Sequence, residues 1–350
     1  MSMPATELEL EHELKRWDAW DRFLETTPDA GFMQSSWWAH FRATVGYGYF
    51  GVTLKDQDAI VGGALVTKWS YAPGSSFYYV QDGPVLPEDE PAARQVFETI
   101  LERVAEHRKA EEETVSHLRI EPRWRRPPGF VQGFQTPDYE DDYMEPRNTL
   151  YVDLRPPEEE ILAQMKPKGR YNIRVAQRHG VAIVEDTSAR GLADFLRIYR
   201  RMSSRQEIAA KPASYFRTLL SIASPRRQAA LFFAEYRGRR LAAALVTYLG
   251  RKATYFFGAS LVLHRRAMAP YLLHFEIMRR AKAMGCEWYD FWGIAPKDQP
   301  DHPWQDISAF KRKFGGVEVN LVPALDYVYD AAAYERYVAA ESGRDSPAAG

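Results

Sequence analysis

Near its C-terminus the chain reads Ala309-Phe310-Lys311-Arg312-Lys313-Phe314-Gly315-Gly316. A lysine beside an aromatic anchor can supply positive charge where negative charge develops on oxygen. By residue type alone, Lys311, Arg312 and Lys313 also read as a charged surface. Asp290 lies in the aromatic run 288–294. A carboxylate there takes a proton from an amine or holds a structural hydrogen bond. Glu121, in the run 117–122, has the same two readings. Between 161 and 184 stand Lys166, Lys168, Arg170, Arg174 and Arg178, with no acid among them. On a helix, Arg170, Arg174 and Arg178 form one stripe. Such a stripe suits phosphates on a ligand or an RNA backbone, or is simply a solvated face.

Other chemistries are not supported. No G-x-S-x-G elbow occurs, and the single cysteine, Cys286, sits beside Glu287, which disfavours a thiolate. The eight histidines include no HExxH and no ligand-spaced helical pair, so no metal is expected. One cysteine also excludes an internal disulfide and fits a reducing compartment. The acidic N-terminus lacks a signal-peptide core, and no run approaches the length of a membrane span, so the cytoplasm is expected. Net charge is -1, so any nucleic-acid contact must come from a local patch.

The elements that must position these residues show an internal repeat. ALVT occurs at 64–67 and again at 244–247. Each copy is the second strand of a predicted hairpin, after 50–54 and 231–236 respectively. Each is followed by an aromatic strand (75–81; 253–259), a helix beginning near Pro91 or Pro270, and a further strand (117–122; 288–294). The order β-β-β-α-β thus occurs twice and predicts an α+β chain of two like domains. Helices are expected over 7–26, where Leu8, Leu10, Leu14, Trp17, Trp20 and Phe23 recur, and over 192–203. The expected division is 1–150, joined by the segment 322–340 with a helical end, then 151–321, then a disordered tail 341–350.

Helix, hairpin, strand, helix, strand resembles the GNAT acyltransferase fold. The corresponding turns, GPVLPEDEPAA at 83–93 and LHRRAMAPYLL at 263–273, lack the glycine-rich loop that holds a pyrophosphate. Glu88, Asp89 and Glu90 would repel one, so acyl-CoA is not the expected donor.

A further set of segments, in order along nearly the whole chain, resembles the FemABX aminoacyl transferases. KGRYNIRVAQRHGV (168–181) is similar to K-x-R-x-x-I-R-x-A-x-x-x-G-V of that family. QSSWWAHFR (34–42) resembles Q-S/T-x-x-W-x-x-x-K, and DGPVL (82–86) its G-P-V/L turn. RQEIAAKPASYF (205–216), YDFWGI (289–294) and AFKRKFGG (309–316) resemble the remaining segments. No room exists for the long helical arm of some members, so the compact, FemX-like members are the closer match.

The resemblance implies two tandem GNAT-like domains and transfer of an amino acid from aminoacyl-tRNA to an amine of a muramyl peptide, without a cofactor. It assigns Lys311, next to Phe310, to oxyanion or leaving-group stabilisation. It assigns Lys211 and Tyr215 to the diphosphate and sugar of the precursor, with Lys211 replacing the family's arginine and losing its bidentate geometry. Arg42, or His40, matches an early lysine that reaches phosphate. Tyr255 lines the substrate cavity or belongs to the core, and Asp290 is the candidate proton acceptor. Lys168, Arg170, Arg174 and Arg178 are the expected tRNA or phosphate contacts. The acceptor is a UDP-linked muramyl pentapeptide or lipid II, the latter implying peripheral work at the inner membrane face. The sequence leaves open the amino acid and the oligomeric state. Two other readings stand beside this one: a GNAT-like N-acyltransferase of another envelope or exopolysaccharide pathway, and a non-catalytic RNA-binding protein. Gly315-Gly316 marks a sharp turn or close approach, and the loop 295–306, with His302-Pro303-Trp304, is expected to flank the site.

Overall fold

The two ALVT copies lie on equivalent strands of two separate sheets. The computed structural model describes residues 8–9, 17–137, 145–206 and 209–342. In chain order the first unit comprises β1 (Leu8–Glu9), α1 (Asp18–Thr26), α2 (Ser36–Thr44), β2 (Gly48–Asp56), β3 (Ala59–Ala72), β4 (Ser75–Gln81), α3 (Glu90–Lys109) and β5 (Thr114–Glu121). The second comprises β6 (Asn148–Asp153), α4 (Glu158–Gln164), α5 (Pro167–Arg178), β7 (Ala182–Glu185), α6 (Ala189–Gln206), α7 (Ala213–Ala223), β8 (Ala229–Tyr236), β9 (Arg239–Leu249), β10 (Lys252–Ser260), α8 (Ala269–Ala283), β11 (Trp288–Gly293), α9 (Gln305–Lys311) and β12 (Val317–Asn320). The chain then returns to the first unit as β13 (Leu325–Val328) and α10 (Ala331–Ser342). The units divide after Glu145 and again before Leu321.

The repeat is β2-β3-β4-α3-β5 against β8-β9-β10-α8-β11. In each, the first three strands are antiparallel and the fourth pairs parallel to the third (β4 with β5, β10 with β11). A parallel pair needs a crossover, which α3 and α8 supply. Beyond the parallel strand each sheet continues with an antiparallel one, β13 on β5 and β6 on β11, and the second sheet adds β12 on β6. The sequence order of that strand differs: β6 precedes its repeat and β13 follows its own.

In the second unit β9 is buried from Leu241 to Leu249. That continuous apolar run fits a strand covered on both faces. Val246, Phe232 and Leu150 pack with Phe275 and Ile277 of α8 on one face. The β8–β9 turn uses Arg237 and Gly238, both at positive φ, the geometry that matches strand twist in a two-residue hairpin.

One expectation is corrected. The first helix begins at Asp18, not near residue 7, and Leu8–Glu9 pair with β2 instead. The backbone of β2 there offers an open edge that a strand satisfies and a helix does not. Leu10 and Leu14 lie outside the described residues, as do 343–350 of the expected disordered tail. The return segment forms β13 before its helical end, and Asp326 of β13 sits inside the unit. Its carboxylate receives two hydrogen bonds from Arg119, each of 2.8 Å, and one from the Tyr334 hydroxyl, also 2.8 Å. Arg119 NH1 also donates to the Tyr337 hydroxyl at 3.1 Å, so α10 is fastened by the same buried pair. Asp330 caps that helix by accepting from the Ala333 amide.

Removing one partner of a buried ion pair leaves the other charge without compensation. Asp326→Asn should therefore destabilise the protein by ~3–5 kcal/mol in denaturant unfolding. Arg119→Met with Asp326→Leu should recover much of that loss. Equal losses in the single and double variants would show that packing, not charge, holds the segment.

Candidate active site

Strand β11 ends in a disturbance of register between Asp290 and Gly293. Trp292 there has φ of 58°, a left-handed conformation costing a bulky residue about 1–2 kcal/mol. The Asp290 carboxylate holds it, accepting the Trp292 amide at 2.8 Å and the Thr149 hydroxyl from β6. The bend turns the Gly293 carbonyl toward α9, where Lys311 Nζ donates to it at 2.5 Å. A side chain on Gly293 would collide with Trp304 and Pro146.

Lys311 is 7% exposed, so it is not the surface lysine that the triplet alone suggests. Its neighbours are engaged elsewhere: Arg312 with Glu318 and the Ala295 carbonyl, Lys313 with the Tyr271 hydroxyl. Burial pushes the Lys311 ammonium down to about 7, and the Asp290 charge opposes that shift. Asp290 is fully buried, and its Oδ1 accepts two hydrogen bonds. The Asp290 carboxylate thus makes structural hydrogen bonds and also acts electrostatically on Lys311.

Tyr255 of β10 faces the same group, with Lys311 Nζ 5.7 Å from its ring centroid. A bulge at Phe256 sends Tyr255 and Phe257 to opposite faces, Tyr255 pairing with Val246 and Phe257 with Leu245. Gly258 leaves room for the Tyr255 hydroxyl, which would lie 1.7 Å from an added Cβ. Phe310 packs on Tyr271, His274 and Phe314. His274 of α8 was missed by the sequence reading. It shares a 2.9 Å hydrogen bond with the Tyr289 hydroxyl and stands edge-on to Tyr255 at 4.4 Å. Burial, and then the Lys311 charge, push its imidazole down to about 3, so it is neutral. Its one sequence signal was a lone histidine inside the apolar run of α8.

The AFKRKFGG segment is fixed from below. Gly315 and Gly316 have φ of 76° and 89°, and added Cβ atoms would lie 2.4 Å and 2.3 Å from the Gln164 and Tyr151 carbonyl oxygens. Close approach is thus to backbone of the same unit. The basic helix α5 begins against the same segment: the Lys166 amide donates to the Lys313 carbonyl at 3.1 Å, and Gly169 admits that carbonyl. Lys168, Arg174 and Arg178 are exposed along α5. Arg170 departs from the expected stripe, because its guanidinium donates to the Ala163 and Met165 carbonyls at the end of α4.

Lys211 and Tyr215 are not brought to Lys311. They sit at the start of α7, with Lys211 Nζ 6.0 Å from the Tyr215 ring. Tyr215 packs on Phe216 and Phe257, the face of β10 opposite Tyr255.

The first unit separates Arg42 from His40. Two residues apart on α2, they point to different sides; His40 is exposed and Arg42 is 5% exposed. The Arg42 guanidinium lies 3.8 Å from the Tyr47 ring centroid and 4.3 Å from that of Trp69. Its Nε and NH2 make no hydrogen bond among the described residues. Nearby, loss of hydration and the Glu121 and Asp82 carboxylates hold Glu145 well above the usual carboxylate range, against the pull of Arg42. Glu121 accepts the Glu145 amide at 3.0 Å, a structural contact. Gln34 ties the segment 34–42 to β3 and to the end of β4, exchanging hydrogen bonds with Leu65 and donating to the Gln81 carbonyl. Cys286 is buried and its thiol is pushed up to about 11, which removes it as a nucleophile.

The Lys311 ammonium, followed by NMR after selective isotopic labelling, should titrate with a midpoint near 7. Asp290→Asn should move that midpoint lower, because the opposing charge is removed. A midpoint near the ordinary lysine value would show that water reaches the group.

Comparison with known proteins agrees with this architecture. The FemAB family model matches residues 17–125, 130–236 and 226–342. The lipid II:glycine glycyltransferase of Staphylococcus saprophyticus is 21% identical, over 91% of this chain and 92% of that protein. Its namesake in Staphylococcus aureus is 19% identical, over 90% and 92%. Among solved structures, FemX superposes with a TM-score of 0.84 at 17% identity, covering 95% of this chain and all of FemX. A tandem GNAT protein from the clavulanic acid pathway gives 0.51 at 13% identity, over 92% of this chain and 98% of its own. With the family model matched along almost its full length, this chain belongs to the FemAB family.

Proposed function

We propose that this transferase moves an aminoacyl group from the 3′ end of an aminoacyl-tRNA to the stem-peptide amine of a peptidoglycan precursor, a step of interpeptide bridge formation. The observation that carries the reading is the buried Lys311 ammonium, held at the broken end of β11 among Phe310, Tyr255 and Asp290. Two relatives spanning almost the whole chain are named for glycine transfer to lipid II. The α3 N-terminus, where an acyl-CoA pyrophosphate would bind in a GNAT fold, is capped by the Asp89 carboxylate.

The reaction is aminolysis of an ester. The acceptor nitrogen attacks the aminoacyl carbonyl carbon, a C–N bond forms, and negative charge develops on the carbonyl oxygen. The C–O bond to the ribose 3′ oxygen then breaks, and the proton lost by the amine balances the one gained by that oxygen. An ammonium has three donors. One Lys311 proton is held by Gly293, which aims the others. In a dry site such a donor lowers the barrier far more than in water. Asp290 acts through Lys311, keeping it charged near neutral pH. In this reading Lys211 with Tyr215 takes the diphosphate and sugar of the precursor. A diphosphate is common to the nucleotide precursor and to lipid II. Lys168, Arg174 and Arg178 take phosphates of the tRNA.

Incubation with labelled aminoacyl-tRNAs, UDP-linked muramyl pentapeptide or lipid II, and acetyl-CoA as control donor, tests the class directly. A labelled muramyl peptide is the expected product; label arriving only from acetyl-CoA would favour a GNAT-type N-acyltransferase instead. Lys311→Met should keep precursor affinity and lose roughly 10²–10³ in single-turnover rate. The pH profile carries a sign. The free acceptor amine becomes more abundant as pH rises, while the Lys311 cation is full below about 7 and declines above it. The rate should rise to about pH 7 and then level, whereas Lys311→Arg should keep rising. A wild-type rate that climbs on past pH 7 would make Lys311 a base rather than a charge donor.

A further inference from the structure

The exposed face of α5 carries more than the cations assigned to phosphate above. Tyr171 lies among them, 52% exposed, with Lys168 Nζ 5.0 Å from its ring centroid. Arg174 and Arg178 follow at successive helical turns. At the C-terminal end the surface continues onto other elements. The His179 ring lies 5.9 Å from Tyr236 at the end of β8, and Tyr236 lies 5.4 Å from His264. The Arg237 guanidinium stands 5.1 Å from the Tyr236 ring. The nearby Glu235, Asp186 and Asp194 carboxylates all turn to Arg240, which offsets part of their charge. The other end of α5 abuts the Lys313 carbonyl, two residues from Lys311.

We infer that the surface formed by Lys168, Tyr171, Arg174, Arg178, Tyr236 and Arg237 is a track for an RNA strand, with Tyr171 and Tyr236 as stacking platforms for bases. The inference rests on the tRNA-dependent reading of the same site and specifies how its donor is held. Twelve helical residues rise about 18 Å, so the track leads several nucleotides away from the segment that carries Lys311. Cations without acids attract any polyanion, but aromatic rings set between them select one with flat, unpaired bases. A double-stranded or lipid surface presents phosphates without such faces. Val262 and Leu263, exposed beside His264, are the features a bilayer contact would use instead.

The test is binding of mixed deacylated tRNA, measured by fluorescence anisotropy across a salt series, on the full chain. Arg174→Gln with Arg178→Gln should make the slope of log affinity against log salt shallower by about 2. Tyr171→Ala should weaken binding roughly tenfold, and Tyr171→Phe should restore it, which a charge-only surface would not require. In transfer assays, the ratio of turnover with full-length aminoacyl-tRNA to turnover with a short aminoacyl trinucleotide should fall about tenfold in Tyr171→Ala. Unchanged tRNA affinity and salt slope in these variants would overturn the track while leaving aminoacyl transfer standing. Loss of binding to phosphatidylglycerol vesicles, with tRNA binding intact, would assign the surface to a membrane and also overturn it. Absence of transfer from every aminoacyl-RNA would sink the proposed reaction, yet the salt slopes would still decide the track.

Discussion

A lysine ammonium taken out of water has to be given partners, and much of the second unit is arranged around doing so for Lys311. Among the described residues the hydrogen-bond partner is the Gly293 carbonyl, which is available where β11 breaks its ladder with β6. The break in turn needs Asp290 to hold Trp292 in a conformation it would otherwise avoid. Asp290 needs the Thr149 hydroxyl from the neighbouring strand. The glycines after Lys311 then let its segment lie directly on the backbone of α4 and β6. Each of these requirements follows from the cost of burying a charge, and each removes freedom from the next residue.

The first unit answers a different demand. Its sheet is completed by chain that arrives some two hundred residues after β5, and a strand that distant carries a large closure cost. The compensation is specific: Arg119, Asp326, Tyr334 and Tyr337 form one buried network, and α10 covers it. His117 belongs to the same layer and is neutral, its imidazole pushed down to about 3 mainly by burial. Both units therefore use a buried charge to specify position, in one case beside candidate chemistry and in the other beside the returning segment.

Much of the fold was legible because repetition is a property of the sequence. The ALVT pair, the aromatic third strands and the proline-led helices have local causes, namely turn chemistry, runs of apolar and aromatic strand formers and first-turn proline. The first helix was extended too far because Leu8 continues a helical spacing by chance, while backbone pairing to the edge of β2 prevails. The strand over 325–328 escaped notice because its charge, Asp326, has a partner only in three dimensions. Residues 34–42 stood out as a separate segment, yet Gln34 ties it to β3 and to the end of β4.

For the site, the family resemblance singled out Lys311 beside Phe310, where residue type alone read a charged surface, while the inventory of groups was enough to set Cys286 aside. What the sequence by itself determined was therefore the repeated topology and the inventory of groups. Tertiary structure decided which groups meet. The bulge at Phe256 separates Tyr255 from the face where Tyr215 lies, helix phase buries Arg42 and exposes His40, and Arg170 turns to the end of α4 while its neighbours on α5 stay free for a ligand. Burial also set protonation, because only a packed interior can move a lysine to about 7 and a histidine to about 3. Contacts and desolvation depend on distances between residues far apart in the chain, and no local pattern encodes them.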